Sequence, residues 1–357
     1  MAILFLDGCD HLSTQNVVTK YDQLETYTSG DVTVVTSVTR LGTTGAVYKF
    51  PNAFTRRTVM GINCSALGAQ SYLGLGINIM PSFITATASA PVLLIRDTAS
   101  ASVVRLAYSN QRWVLTVGSA DTFAASTASN ILAASTWLLA ELAVSYGASG
   151  TVLFYANGSA VLSYSGSVLT SAATGMTRAY WGTVTVNASP HLDDFYVINN
   201  AAPQVSTMPI GLNMRIRTHW PNDDTATSAW TPDTGSTHFT QVDESSTPGG
   251  GHDGAATYVC TTSANARDLY NIESATGTYS ANEIPLGVQV VGVARATAGS
   301  PSLNLLAELS GTIVSHTTTC AVSSDWYCHR AVFTSAPGGV SWVVSRIDAV
   351  TIGQEMA

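Results

Sequence analysis

The stretch that decides the fold is Thr136–Gly166, which reads T-W-L-L-A-E-L-A-V-S-Y over 136–146, G-A-S-G over 147–150 and T-V-L-F-Y-A-N-G-S-A-V-L-S-Y-S-G over 151–166. Two apolar runs flank the Gly-Ala-Ser-Gly connection, whose glycines adopt positive φ at little cost. This order predicts a β-hairpin.

The strand after this turn has two distinct faces. Val152, Phe154 and Ala156 fall on one face of a period-2 strand, and Leu153 and Tyr155 fall on the other. The following Ala-Asn-Gly-Ser at 156–159 predicts a second tight turn, because Asn and Gly tolerate left-handed backbone conformations.

Two motifs resemble those of laminin-G-like and concanavalin A-like jelly rolls. One is the hairpin itself, with a leading Trp and then F-Y-A-N-G at 154–158; the other is L-D-D-F-Y-V-I-N at 192–199. The resemblance spans about 1–200 and implies a jelly-roll sandwich. It also implies that Leu192–Ile198 is a closing strand that pairs near the amino-terminal strand Ile3–Leu6.

Two other stretches resemble tailed-bacteriophage virion proteins. The chain opens I-L-F-L-D-G-C-D-H at 3–11, although Cys9 stands where an aromatic residue is commoner. The series R-x-R, W-T-P, V-D-E, T-Y-V and R-D-L-Y runs from Arg215 to Tyr270. This resemblance implies a fibre, spike, collar or decoration protein, made in the host cytoplasm and located in the virion. Its implied partners are other virion proteins and host-surface glycans.

Composition excludes several classes of function. Of 357 residues, 46% are hydrophobic and 11% charged, against about 25% charged in ordinary soluble proteins. The net charge is −8 and no Lys/Arg run occurs, which argues against nucleic-acid binding. No apolar run approaches the ~18–20 residues of a membrane span, so no membrane insertion is expected. The opening M-A-I-L-F-L-D-G predicts a strand rather than a signal peptide. A surface poor in charge repels neighbouring copies weakly, and exposed strand edges need to be covered or paired. A homo-oligomer is therefore expected, and a trimer is the predicted state.

The segment pattern predicts an all-β protein of two antiparallel β-sandwich domains. Short apolar strands recur every 10–15 residues or so, and no helical period persists. The domains are predicted at 1–200 and 210–357, joined by a linker at 201–209, and the second is expected to serve assembly or attachment. Leu212–Thr218 and Ser341–Val350 are both predicted to be strands of the second domain.

Five widely spread cysteines do not form a small disulfide framework. Buried thiols in a reducing cytosol are the favoured interpretation. A bridge between Cys320 and Cys328 stays open, because spacing alone does not decide it.

No catalytic pattern emerges, and the chain is predicted to have no catalytic residue, no cofactor and no enzymatic activity. The glucanase pattern E-x-D-x-x-E and the G-x-S-x-G elbow are both missing. The seven histidines, at 11, 191, 219, 238, 252, 316 and 329, lack motif context, so a Ser/His/Asp triad would have to assemble in space. Gly249–Gly251 does not lie between a strand and a helix, which argues against a phosphate loop.

The sequence contains two weak candidates for a metal site, but ordinary structural roles in β-strands are favoured for both sets of residues. No metal is therefore predicted. Asp193 and Asp194 point to opposite faces of a strand, near Asp7 and Asp10, where hydrogen bonding is favoured over a calcium site. The other candidate is a set of four possible zinc ligands. The last two are adjacent in one predicted strand, so their side chains point to opposite faces. The set consists of His316, Cys320, Cys328 and His329.

Four aromatic residues near turns are candidate sugar-stacking platforms, with burial in the core as the favoured alternative. They are Tyr180, Trp181, Trp220 and Trp230. The ligand-binding residues therefore remain unknown from the sequence. Three functions are weighed: a non-enzymatic structural virion component as the main prediction, a carbohydrate-binding lectin-like module, and a concanavalin A-like glycan hydrolase.

Overall fold

The computed structural model describes most of the chain. The described residues are 3–8, 23–25, 33–35, 47–49, 57–64, 68–81, 90–109, 112–127, 133, 135–170, 174–184, 191–200, 208–211, 214–243, 256–277, 279, 283–299, 301–319 and 326–357. Only the backbone is described at 23–25, 33–35, 47–49, 57–59, 90–91, 183–184 and 317–319. The chain divides into two compact units, Met1–Ile216 and Arg217–Ala357.

The first unit is built of strands alone in its described part. They are β1 Ile3–Asp7, β2 Gln23–Glu25, β3 Thr33–Val35, β4 Val47–Lys49, β5 Arg57–Asn63, β6 Tyr72–Met80, β7 Ala90–Asp97, β8 Ser102–Ser109, β9 Arg112–Val117, β10 Thr122–Ser126, β11 Leu138–Ser145, β12 Gly150–Ala156, β13 Ser159–Gly166, β14 Met176–Val184 and β15 His191–Asn199.

Two antiparallel sheets form this unit. The eight-stranded sheet has the order β13-β12-β11-β6-β15-β4-β3, with β1 also paired to β15, and the seven-stranded sheet has the order β10-β9-β8-β7-β14-β5-β2. Alternate side chains of both sheets face one buried core, as expected of a sandwich. Its largest members are Phe5, Trp113, Phe154, Trp181 and Phe195.

The predicted hairpin is confirmed. Strands β11 and β12 pair from Ser145↔Thr151 to Ala140↔Ala156, and β12 pairs in turn with β13. Asn157 and Gly158 both have positive φ, at 51° and 77°, so the second turn takes the left-handed conformations that these residues tolerate. Val152 and Phe154 are fully buried on the predicted face.

The predicted closing strand is confirmed as well. β15 pairs antiparallel with β1, with Ile3 opposite Ile198 and Phe5 opposite Val197. Phe5 reaches the core, where its ring lies 5.7 Å from that of Trp181. The two ends of the predicted first domain therefore meet in one sheet.

The second unit is also antiparallel. Its strands are β16 Pro221–Ser228, β17 Thr231–Pro232, β18 Val259–Cys260, β19 Arg267–Ile272, β20 Val288–Ala294, β21 Ser302–Leu309, β22 Thr312–Thr319, β23 Tyr327–Phe333 and β24 Thr351–Met356. A five-stranded sheet, β16-β19-β24-β21-β22, accompanies the pairs β20-β23 and β17-β18. Side chains of β20 and β23 pack with those of β21 in one core.

Helix is scarce in the described part of the chain: a 3₁₀ turn at Phe239–Gln241 and helix α1 at Val344–Ile347. The predicted all-β sandwich fold is confirmed. None of the described helices is long and apolar enough to cross a membrane.

Two predicted strands are corrected. In the described part of Leu212–Thr218, residues 214–218 are irregular. The N–H of Ile216 donates to Asp194 Oδ1 at 2.7 Å instead of joining a ladder. Ser341–Val350 contains α1, because a helical turn brings Trp342 and Ile347 into the same core. The strand begins only at Thr351.

The predicted domain boundary stays a prediction. Residues 201–207 of the predicted linker 201–209 lie outside the described residues. The compact units separate after Ile216, so the described residues 210, 211 and 214–216 cluster with the first unit.

Candidate functional site

The two adjacent aspartates of the closing strand have structural roles. Asp194 is buried at a β-bulge with φ 51°, and its two carboxylate oxygens accept from the N–H of Ile216 at 2.7 Å and from Asn78 Nδ2 at 3.2 Å. Asp193 Oδ1 accepts from the N–H of Asp194 at 2.8 Å. Asp7, which lies opposite Phe195 in register, is also buried. Both oxygens of Asp194 therefore face N–H donors, which does not suit a calcium ligand; Asp10 lies outside the described residues.

The zinc candidates do not converge. His316 is exposed on β22, and His329 is buried on β23 on the same face as Ala331. Cys328 lies on the opposite face of β23, as the alternation of a strand predicts. Cys320 lies outside the described residues, so a disulfide between Cys320 and Cys328 stays untested. The described residues contain no group of three or more His, Cys, Asp or Glu side chains that could hold a metal ion.

The aromatic candidates separate into two groups. Tyr180 and Trp181 are 1% and 0% exposed, so neither offers a free ring to a sugar. Trp181 lies in the core, whereas Tyr180 packs with Leu94 on the other face of the sheet. Trp220 and Trp230 are half-buried in the second unit. Trp230 Nε1 donates to the carbonyl of Ala266 at 2.9 Å, which fixes its indole.

The histidines and glycines that the sequence left without context are only partly described. His11, His252 and Gly249–Gly251 lie outside the described residues. His238 does find a partner in space: its Nδ1 lies 2.7 Å from Asp268 Oδ2.

A set of arginines that the sequence reasoning missed lies on the outer face of the seven-stranded sheet. Arg105 belongs to β8, Arg96 to β7 and Arg178 to β14, three adjacent strands. Each is half-buried and directly adjacent in sequence to a fully buried core residue, so its side chain points away from the core. Those core neighbours are Ile95, Val104 and Ala179. We call this surface the arginine face.

Register places the arginines close together. Arg178 lies directly opposite Arg96, and Leu94 lies opposite both Tyr180 and Arg105. Directly opposite side chains have Cβ atoms about 4.5–5.5 Å apart, and like charges there are destabilising. Two facing arginines in a chain of net charge −8 therefore carry a local cost.

Tyrosine and glycine position the central guanidinium. Arg96 Cζ lies 4.9 Å from the ring centroid of Tyr180, a cation–π arrangement that holds the guanidinium over the ring. A Cβ on Gly61 would overlap this ring, so only glycine lets the phenol lie flat at that position. The positively charged group is thus fixed on the face of the sheet.

The two flanking arginines are held more loosely. Arg105 Nη1 lies 3.4 Å from Asp121 Oδ2, a pair whose side chains are 24% and 42% exposed. Arg178 Nη1 donates to Ser100 Oγ. The Nε atoms of Arg105 and Arg178 are buried and have no hydrogen-bond partner among the described residues. The arginine face therefore combines three positive charges with two buried Nε–H donors, on Arg105 and Arg178, that have no partner among the described residues. Such donors suit an anion-binding surface.

No protein-family model and no curated protein matches the chain. Solved structures do resemble it. An endo-β-1,4-glucuronan lyase from the fungus Trichoderma reesei is 13% identical, with 56% of this chain and 96% of that one covered and a TM-score of 0.42. The alginate lyase Aly36B is 9% identical, with 56% and 97% covered and a TM-score of 0.42. Trypanosoma rangeli sialidase is 17% identical, with 50% and 30% covered and a TM-score of 0.35.

This finding corrects the functional prediction. The proteins just named are polysaccharide lyases and a sialidase, which are carbohydrate-active enzymes and not structural virion components. The prediction of a non-enzymatic virion component is therefore wrong, and so is the prediction that the chain is no enzyme. The carbohydrate alternatives agree better with these neighbours. At such low identity, the likeness itself concerns the β-sandwich fold alone.

Proposed function

We propose that the first unit binds acidic polysaccharides through the arginine face. The observation that carries this proposal is the register of Arg96 directly opposite Arg178, with Arg105 on the next strand. Such a cluster is costly in the free protein and is relieved when an anion lies between the guanidinium groups. A bound anion would lower this cost, which is what supports the proposal.

Sugar carboxylates are the anions that this chemistry suits. A guanidinium presents a planar fork of donors that matches a carboxylate in two parallel hydrogen bonds. The neighbouring strands are ~4.8 Å apart and Arg105 lies opposite Leu94 rather than Arg96, so the three arginines are spread over three strands rather than gathered in a single pocket. Charges spread over three strands fit an extended polymer with one carboxylate on each sugar better than a small compact anion.

A sheet face also suits a polysaccharide better than nucleic acid. The chain has 15 basic residues against 23 acidic ones and a net charge of −8, so the general attraction to a polyanion is weak. Binding must then depend on local contacts of the arginine face. Of the partners expected from the sequence, surface glycans are the one that this proposal keeps. The homo-oligomer, the other virion proteins and the virion location stay predictions.

Isothermal titration of the full chain with sodium alginate tests the proposal, with neutral dextran as the ligand control. Loss of a hydrogen bond to a charged group costs ~1.5–3 kcal/mol, so Arg96→Ala and Arg178→Ala should each weaken alginate binding by roughly 10-fold or more. Arg96→Lys keeps the charge but not the fork, and should recover only part of the affinity.

The matched control is Arg346→Ala, because this arginine lies in the second unit, where its Nη1 donates to the carbonyl of Ser341. It should leave alginate binding unchanged. Equal binding of dextran and alginate, or full affinity in the Arg96→Ala and Arg178→Ala double variant, would rule out the arginine face as the site.

A further inference from the structure

The second unit contains a histidine–aspartate pair that glycan binding by the first unit does not use. His238 and Asp268 are 8% and 0% exposed, and His238 Nδ1 lies 2.7 Å from Asp268 Oδ2. Because a carboxylate only accepts, the ring N–H at Nδ1 is the donor. Nε2 is then the nitrogen that carries the lone pair in the neutral ring.

A second carboxylate fixes the backbone that presents this histidine. The N–H of His238 donates to Asp224 Oδ2 at 2.8 Å, and the N–H of Phe239 donates to Asp224 Oδ1 at 2.6 Å. Asp224 belongs to β16, so the loop before the 3₁₀ turn is fastened to the five-stranded sheet. Both the position of the loop and the orientation of the ring are therefore determined by separate contacts.

The aspartate is itself oriented by three donors. Asp268 Oδ1 accepts from the N–H of Trp230 at 2.8 Å, and Oδ2 accepts from the hydroxyl of Tyr270 at 3.1 Å in addition to His238. Gln354 Nε2 donates to that hydroxyl at 2.9 Å. Burial, reinforced by the charge of Asp268, raises the pKa of Tyr270 well above its ordinary value, so the phenol stays protonated and keeps donating.

We propose that His238, held by Asp268, is a general base of the second unit and that it activates water for the hydrolysis of carboxylic esters. An imidazole whose Nδ1–H is bound by a buried carboxylate has the tautomer and orientation that general-base catalysis requires. Asp268 is a positioning residue, because it acts through the imidazole. This site lies in the other compact unit and does not depend on the arginine face.

The reaction balances with water as the only co-reactant. Nε2 of His238 accepts a proton from water while the water oxygen forms a bond to the acyl carbon. The ester C–O bond then breaks, and the imidazolium returns its proton to the departing alkoxide, which leaves a carboxylic acid and an alcohol. Ester hydrolysis suits this arrangement because the imidazole, water and the ester are its only participants.

Hydrolysis of p-nitrophenyl acetate by the full chain tests the proposal. A general base contributes about 10²–10⁴-fold, so His238→Ala should lower kcat/KM at least 100-fold. Asp268→Asn should lower kcat with little change in KM, because it disturbs the orientation of the ring rather than substrate binding.

His316→Ala is the matched control, since His316 is exposed on β22 and should contribute nothing to the rate. A second measurement does not depend on turnover: diethylpyrocarbonate should modify His238 at Nε2, and the modified fraction found by mass spectrometry should equal the fraction of esterase activity lost. Circular dichroism of both site variants must match the wild type. Wild-type hydrolysis no faster than that of a correctly folded His238→Ala variant, or activity that survives modification of His238, would overturn the proposal.

Discussion

The hydroxyl of Tyr196 on β15 donates to Glu141 Oε1 on β11 at 2.5 Å, although β6 runs between these strands. Gly76 of β6 lies opposite Glu141 on one side and opposite Tyr196 on the other. A Cβ on Gly76 would overlap the phenol ring, so glycine is what lets Tyr196 lie across the middle strand. The bond ties three strands of the eight-stranded sheet together on its outer face.

The same carboxylate fastens a segment beyond the sheet. Glu141 Oε1 also accepts from the N–H of Ile210 at 2.7 Å and from that of Gly211 at 3.3 Å. Met208 contributes its sulfur, 3.9 Å from the Tyr196 hydroxyl. Residues 208–211 therefore cover this face of the sandwich, whereas the arginine face lies on the opposite sheet.

Gly76→Ala should destabilise the first unit by about 1–3 kcal/mol, because the added methyl group must displace the Tyr196 ring from a packed position. Urea denaturation followed by hydrogen exchange of β6 and β15 peptides measures the loss. Ala160→Val adds bulk at an exposed position of β13 and should change the free energy of unfolding by less than ~0.5 kcal/mol. Equal stability of Gly76→Ala and the wild type would contradict the packing described for this ring.

Glu141 should make the first unit less stable as pH rises. Burial raises the pKa of this carboxyl above 4.5, more than the hydrogen bonds from Tyr196, Ile210 and Gly211 lower it. Its Oε2 is buried without a partner among the described residues. The folded state then binds the proton more tightly than the unfolded chain, so this stability is present below pH 4.5 and is lost as pH rises through the raised pKa.

Glu141→Gln tests this dependence, because it keeps a carbonyl acceptor and removes the ionisation. The difference in the denaturation midpoint between the variant and the wild type should grow in favour of the variant above pH 4.5. Ala160→Val, which changes no ionisable group at an exposed position of β13, is the control and should give a flat difference over the same range. A flat difference for Glu141→Gln would mean that burial does not control this titration.

Asp348 should make the second unit less stable as pH falls, which is the opposite of the pH dependence expected from Glu141. Hydrogen bonds, with those from Thr276 first, lower the pKa of this carboxyl below 3.8. It accepts from the N–H of Ala275 at 2.6 Å and from Ser274 Oγ at 3.0 Å. Its stabilisation is therefore present above pH 3.8 and is lost as pH falls through the lowered pKa.

Asp348→Asn should accordingly speed hydrogen exchange in residues 274–277 at neutral pH. The difference in exchange rate between the variant and the wild type should become smaller in acid, where the wild-type carboxyl is protonated. Asp233→Asn, at an exposed position of the same unit, serves as the comparison. An unchanged exchange rate in residues 274–277 of Asp348→Asn would show that these hydrogen bonds do not hold the turn.

Phe5→Ala should cost about 3–5 kcal/mol, because a fully buried ring is removed from the contact with Trp181. The loss should be confined to the first unit, as measured by hydrogen exchange of peptides from both units. Leu6→Ala, at a half-buried position on the other face of β1, should cost much less. A comparable loss in both variants would show that β1 contributes through backbone pairing rather than through this side chain.

Local pattern was enough to predict the all-β fold, the hairpin of 136–166 and the closing strand. These features depend on period-2 alternation and turn residues that lie within a few positions of each other. The error at Ser341–Val350 has the same origin, since an apolar run of this length fits a strand or a helical turn equally well. Packing of Trp342 and Ile347 into the core decided in favour of the turn.

The candidate sites were decided by tertiary structure alone. Arg96 and Arg178 are 82 positions apart in the chain, and they face each other only because β7 pairs with β14 in one particular register. His238 and Asp268 are brought together by a loop that Asp224 fastens to the sheet. A one-residue slip of register would move every such side chain to the other face of its sheet. The sequence alone therefore determined the strands and their turns, whereas the fold decided which charges meet, because long-range register is set by packing of the whole sheet.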